Sequence, residues 1–231
     1  MSPAGAGFGK PRVHLRQIDS TNSFARRLAA SGAPHGTLVT AGEQSAGRGR
    51  QGRGWNAPPG SSLLCSWVIR EPEKLLSLAA GVAVAEVCGE RAQLKWPNDV
   101  LIDGRKVAGI LVEGRPQERW AVLGIGINVA LDPDLLPEEL RDRAGTLGRA
   151  PSELEPMLER LRTLLDHWLV VPDGEVLEAV RGRDALRGRR ISWGDQSGVA
   201  SGIDADGHLE VELDGGGRIA LDAGEVHLSR P

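Results

Sequence analysis

The sequence predicts an α+β fold in which helices pack on a mixed or antiparallel sheet and a small β-barrel follows at the C-terminal end. Three observations lead there. Between residues 91 and 130, short β-rich runs follow one another with turn residues such as Asp103-Gly104 between them, the pattern of an antiparallel meander. Residues 74–89 have helical length and are apolar nearly all round, as expected of a helix packed against a sheet. From residue 184 the chain changes to five short β runs with hairpin signals at Asp206-Gly207 and Asp214-Gly215, about 45 residues in a pattern that suits a small barrel.

The elements follow in order. Residues 1–12 read as a loose Gly/Pro/Ala tail, and "VHLRQID" then alternates as a strand does. "DSTNSFARRLAASG" reads as a helix capped by Asp19 or Ser20, with Gly32 as its left-handed C-terminal residue. "GTLVTAGEQ" and "SSLLCSWVIR" are strands on either side of a glycine-arginine loop. After the meander, Ser152 and Glu155 form an S-x-x-E capping box that opens a leucine-rich helix, and a shorter helix follows near 175–181. The expected division is therefore a tail over 1–12, a main domain over 13–183 and a barrel over 184–231.

Composition narrows the function. The net charge of −3 provides no overall positive field of the kind that nonspecific nucleic-acid binders use, so any anion site must be local. Cys65 and Cys88 sit in apolar surroundings without C-x-x-C or histidine partners, which argues against a disulfide framework and a zinc site. The longest apolar run, "LLSLAAGVAVAEVC", is shorter than the roughly 20 residues of a membrane span, and the N-terminus lacks a hydrophobic signal region. The expectation is a cytoplasmic chain without a membrane partner. Of 28 basic residues only Lys10, Lys74, Lys95 and Lys106 are lysines, so a lysine is an unusual choice here.

"AGRGRQGRGW", residues 46–55, contains Gly47, Gly49 and Gly52 at G-x-G-x-x-G spacing. A dinucleotide site would need a helix directly afterwards, and Pro58, Pro59 and Gly60 oppose one. A flexible RNA-binding Arg-Gly element is normally repetitive and lies in a tail, whereas this stretch occurs once between two strands. A purely structural surface loop is also open. The remaining reading is an anion-binding loop: glycines admit a ligand close to the backbone, Arg48, Arg50 and Arg53 supply forked donors, and Trp55 adds a flat apolar face for a planar ring such as adenine.

"KWPNDV" places Lys95 at a strand end with Trp96, Asn98 and Asp99 crowded around it. Lys95 is either a solvated strand-end cation or a compact ammonium able to follow a carboxylate as it becomes an acyl phosphate. Its rarity in this chain favours the second, and Lys106 lies within twelve residues of it. The glycine-bearing strands "GILVEG" and "GIGINV" permit close packing or backbone contact with a ligand, and in "GIGINV" the Asn128 amide either pairs with a base edge or forms a turn.

Taken together, "STN" (20–22), "EQSAGRGRQGRGW" (43–55), "KWPNDV" (95–100), "GRKVAGILVE" (104–113) and "GIGINV" (124–129) resemble the biotin protein ligase family, over roughly residues 13–231. The resemblance implies a class II synthetase-like catalytic domain with an SH3-like C-terminal barrel. It implies ATP and biotin as substrates, magnesium with the ATP, and a lysine of a biotin carboxyl carrier protein as acceptor. On this chain it assigns biotin binding to Ser20, Thr21, Asn22, Gln44, Arg48, Gly49, Arg50 and Lys95. It assigns adenylate binding to Arg50, Trp55 and Asn128, with Arg50 and Lys95 as the catalytic pair, and Arg48, Arg53 and Lys106 are expected to join them at the ATP or adenylate. The magnesium ligands are not fixed, Asp99 and Glu113 being two options.

Some members carry a DNA-binding domain ahead of the catalytic pattern. Here that pattern begins by residue 13, so no specific DNA binding and no repressor role are expected, while a homodimer stays open. A reactive adenylate needs shielding from water, so the loop over 45–60 is expected to be mobile when empty and ordered with biotin bound. The rival is a lipoate ligase or octanoyltransferase of similar fold, and a noncatalytic rival is a module binding an anionic ligand or RNA.

Overall fold

The computed structural model describes residues 7–222, 224 and 226–228. Among the described residues, twelve strands and five α-helices run in the order β1 (Arg12–Leu15), α1 (Thr21–Ala30), β2 (Leu38–Ala41), β3 (Ser62–Arg70), α2 (Leu76–Cys88), β4 (Gln93–Lys95), β5 (Asp99–Ile102), β6 (Arg105–Arg115), β7 (Trp120–Asn128), α3 (Glu138–Arg141), α4 (Leu154–Trp168), α5 (Asp173–Gly182), β8 (Arg190–Trp193), β9 (Gln196–Ile203), β10 (Leu209–Leu213), β11 (Arg218–Leu221) and β12 (His227–Leu228). The first seven strands form one sheet in the order β1-β2-β3-β7-β6-β5-β4. Only β1 and β2 pair in parallel, and β4 to β7 form the expected meander.

Alternation along the strands sets two faces. On β7, Ala121, Leu123, Ile125 and Ile127 join the main core with α2, while Trp120 and Val122 join a smaller cluster with Ala25 and Ala29 of α1. α2 is buried on nearly every side because the sheet lies on one flank and α4 and α5 on the other. α4 presents Met157, Leu158, Leu161 and Leu165 at helical spacing. Leu161 is fully buried, so Leu161→Ala is expected to cost about 2–5 kcal/mol through lost transfer energy and a cavity, read as a lower urea midpoint at unchanged slope.

Local signals decide most boundaries. Ser20 is the residue that caps α1, its hydroxyl accepting from the Ser23 N–H, and Gly32 stands just past the end at φ +86°. The predicted S-x-x-E box before α4 does not form. A short 3-10 turn over Pro151–Glu153 enters the helix instead, no side chain caps it, and Glu155 is drawn across to Arg12 in a two-pronged ion pair.

β8 to β12 form a second, five-stranded antiparallel sheet in the order β11-β10-β9-β8-β12, with the two predicted Asp-Gly turns joining β9 to β10 and β10 to β11. Its inner residues, including Ile191, Ala200, Leu209 and Val211, belong to the same core as α2 and β3. The β9–β10 turn is tied to the main sheet: Trp96 Nε1 donates to the Gly207 carbonyl at 3.0 Å, and Lys74 pairs with Asp206 at 2.6 Å. Among the described residues no helix is long and apolar enough to cross a membrane.

Candidate active site

A cavity of about 460 Å³, including its solvent-facing mouth, opens on the α1 side of the large sheet. Glycines make room for it. β7 carries Gly124 and Gly126 at the positions where alternation would otherwise aim side chains toward α1, and Gly109 of β6 is the direct partner of Gly126. A Cβ on Gly124 would lie 2.0 Å from Asn22 Oδ1, and one on Gly126 would lie 2.6 Å from the Trp55 ring. The α1 N-terminus and the indole therefore rest directly on bare backbone.

One end of the cavity is neutral and polar. The first turn of α1 brings Ser20, Thr21 and Asn22 to it, all nearly buried. Gln44 Oε1 accepts from the Thr21 N–H at 2.7 Å and contacts Thr21 Oγ1 at 3.0 Å. Backbone bonds from Ser45 to Ile18 and from Ala46 to Asp19 hold the Gln44 segment beside this turn. Asn22 Nδ2 donates to Glu113 Oε2 at 2.9 Å. Glu113 also pairs with Arg48 at 2.9 Å and with Arg26 at 3.6 Å, so the Arg48 charge is offset where it stands.

The other end is cationic. The loop folds back on itself, Gly49 N donating to Arg53 O at 2.7 Å and Trp55 N to Gly47 O at 2.9 Å. A Cβ on Gly47 would come 2.4 Å from the Trp55 carbonyl, so this closure requires glycine. Arg50 is oriented by Asn98 Oδ1 at 3.0 Å, and Asn98 is itself fixed by donating to the Ile110 carbonyl at 2.8 Å. Lys106 Nζ lies 2.6 Å from Asp99 Oδ1 and 5.6 Å from the centre of the Trp55 ring, a cation–π arrangement.

The structure thus brings Ser20, Thr21, Asn22, Gln44, Arg48, Gly49, Arg50, Trp55 and Lys106 to one cavity. Lys95 does not line this cavity. That lysine ends β4, at the opposite edge of the sheet order from β1, and lines a separate small cavity with α2 residues Ser77, Leu78 and Gly81. The lysine at the cavity is Lys106, which stands on β6 beside the glycine floor. Lysine scarcity singled out both residues, and only the strand pairing separates them.

Arg53 is exposed, outside the cavity lining, and its guanidinium reaches Gln51 at 3.5 Å. Asn128 is buried and does not line the cavity: Ser62 Oγ donates to its Oδ1 at 3.3 Å, and its Nδ2 donates to the Gly145 carbonyl at 2.9 Å. Asp99 and Glu113, the two options for magnesium, stand at different places along the sheet. Asp99 pairs with Gly109, four residues before Glu113 on β6, which sets their backbone positions about 13 Å apart along the strand. Each already has a cationic partner.

Ser66, and the aiming of Arg50 by Asn98, had no counterpart in the sequence reading. Ser66 lies on β3 with no exposed surface and contacts both Thr21 Oγ1, at 2.8 Å, and Asn22 Oδ1, at 2.6 Å. Cys65 also borders the cavity, but burial pushes its thiol well above the ordinary range, and burial pushes Cys88 up to about 12. Neither is a thiolate nucleophile at neutral pH.

Residues 14–130 match the Biotin/lipoate A/B protein ligase family. The Biotin--[acetyl-CoA-carboxylase] ligase of Mycobacterium tuberculosis is 34% identical over 248 residues, covering 97% of this chain and 92% of that protein. The Bifunctional ligase/repressor BirA of Bacillus subtilis is 40% identical over 158 residues, but the match spans 63% of this chain and only 49% of that relative's length. The structure of the biotin protein ligase from Aquifex aeolicus in complex with biotin and ATP superposes with a TM-score of 0.78 at 29% identity, covering 96% of this chain and all of that one.

Proposed function

The chain belongs to the Biotin/lipoate A/B protein ligase family, and from that premise we propose that it is a biotin protein ligase: it activates biotin with ATP and transfers it to a lysine of a biotin carboxyl carrier protein. The observation that carries this reading is the two-ended cavity, neutral hydroxyls and amides at one end and Arg50 with Lys106 at the other. Biotin combines an uncharged ureide ring with a carboxylate, and each end suits one of them.

In the first step a biotin carboxylate oxygen attacks the α-phosphorus of ATP. The new acyl–phosphate bond forms as the bond to the β-phosphate breaks, and pyrophosphate leaves. Two anions must approach, so cations at the meeting point lower the barrier. Arg50, aimed by Asn98, supplies a fork for carboxylate and phosphate, and Lys106 takes the role that the motif resemblance gave to Lys95. Trp55 provides a flat apolar face for adenine beside Gly109 and Gly126. Magnesium arrives as part of the ATP substrate, bound through phosphate oxygens. Asp99 and Glu113, each held by a cation, help fix Lys106 and Arg48 rather than build a metal cage.

In the second step the neutral amine of the carrier lysine attacks the acyl carbonyl, an amide forms as the nitrogen gives up one proton to solvent, and AMP leaves with the bonding pair. The folded-back loop over 47–55 shields the mixed anhydride from water until then. Incubation with ATP, biotin and an isolated carrier domain is expected to add one biotinyl group to one carrier lysine, detected by mass spectrometry. An unmodified carrier, or modification by lipoate alone, contradicts the proposal.

A further inference from the structure

At the polar end of the cavity one chain of four oxygens does not balance as a set of hydrogen bonds. Asn22 Oδ1, Ser66 Oγ, Thr21 Oγ1 and Gln44 Oε1 form a continuous chain with contacts of 2.6, 2.8 and 3.0 Å. Three links need three protons, and the two hydroxyls in the middle bring one each. Both ends are acceptors. Asn22 cannot turn its amide round, because its Nδ2 is held by the Glu113 carboxylate at 2.9 Å. Turning the Gln44 amide would supply a donor to Thr21 Oγ1, but it would leave the Thr21 N–H, 2.7 Å away, facing another donor. The shortage moves and does not close.

Burial makes the shortage matter. Ser66 is 0% exposed and Thr21 and Asn22 are each 4% exposed, so solvent has little access to supply the missing proton, while Thr21, Asn22 and Gln44 all face the cavity. We infer that Ser66 is a positioning residue which, by coupling Thr21 to Asn22, leaves this chain of four oxygens one proton short and so selects ligand head groups that bring an N–H donor. The inference rests on the biotin reading and deepens it: a cyclic ureide supplies the donor, whereas a lipoyl or octanoyl chain supplies none. An oxygen in place of the ureide N–H would set one more acceptor against acceptors already lacking a proton.

The test is calorimetric binding to the full chain of biotin and of its cyclic carbonate analogue, in which ring oxygens replace both ureide N–H groups. The unsubstituted protein is expected to prefer biotin by about 100-fold, and a preference below about tenfold overturns the inference. Ser66→Ala uncouples Thr21 from Asn22 and takes from the Asn22 carbonyl its hydroxyl contact, so it is expected to weaken biotin binding about tenfold, with the KM for ATP and the melting temperature little changed. An unchanged biotin affinity in Ser66→Ala, or equal losses for biotin and ATP, also overturns it. If that variant does not fold, the preference of the unsubstituted protein decides alone. Absence of any biotin binding by the unsubstituted protein would instead strike the proposed function.

Discussion

Gly124→Ala is expected to raise the KM for biotin by about 100-fold or more, the size of a loss of 2–3 kcal/mol of binding. The added methyl would stand 2.0 Å from Asn22 Oδ1 and 2.7 Å from its Cγ, far inside contact distance. Asn22 is not a loose chain end that can step aside. Glu113 holds its amide nitrogen and Ser66 its oxygen, so making room breaks buried hydrogen bonds and displaces the first turn of α1. Gly126→Ala provides the internal comparison. Its methyl would meet the Trp55 ring at 2.6 Å, on a loop that can shift, so its main effect is expected on the KM for ATP. Initial rates at varied biotin and ATP separate the two. Equal effects of both substitutions on both substrates would contradict the assignment of the two ends.

Lys106→Ala is expected to slow adenylate formation by about 100-fold or more, because it removes a cation from the place where carboxylate and phosphate meet. Lys95→Ala is expected to stay within about fivefold of the unsubstituted protein, as its side chain borders a different cavity. The Lys106–Asp99 pair is partly exposed, 36% and 18% at the two side chains, so its loss should cost little stability and the defect should appear in rate. Single-turnover formation of the adenylate checks both variants. A defect in Lys95→Ala as large as that in Lys106→Ala would restore the motif-based assignment.

The contrast between these lysines shows how far the sequence could be read. Composition made Lys95 and Lys106 conspicuous for the same reason, and nothing in their spacing said which would face the ligand. That depends on the pairing of β5 with β6, where the register shifts between Val100 and Leu101, and on the sheet edge at which β4 ends. The glycines of "GIGINV" were legible as backbone open to close approach, but which glycine carries Asn22 and which carries Trp55 follows only from α1 lying across β7. Ser66 gave no signal at all. It is one small polar residue inside an apolar strand, and its partners Thr21 and Asn22 are 45 and 44 residues away in the chain.

Local chemistry was read more successfully. The Asp-Gly turns placed the hairpins of the second sheet, and Gly32 ended α1, because each depends on a backbone conformation that few residues adopt. The S-x-x-E box failed for a related reason: a cap is a weak local preference, and Arg12 offered Glu155 a full opposite charge from across the fold.

The central claim is that this cavity joins biotin to AMP. The most direct measurement is exchange of radiolabelled pyrophosphate into ATP by the purified chain, with biotin, with lipoate and with neither. Biotin-dependent exchange is the predicted result. Exchange with lipoate alone, or no exchange with either acid, would contradict it.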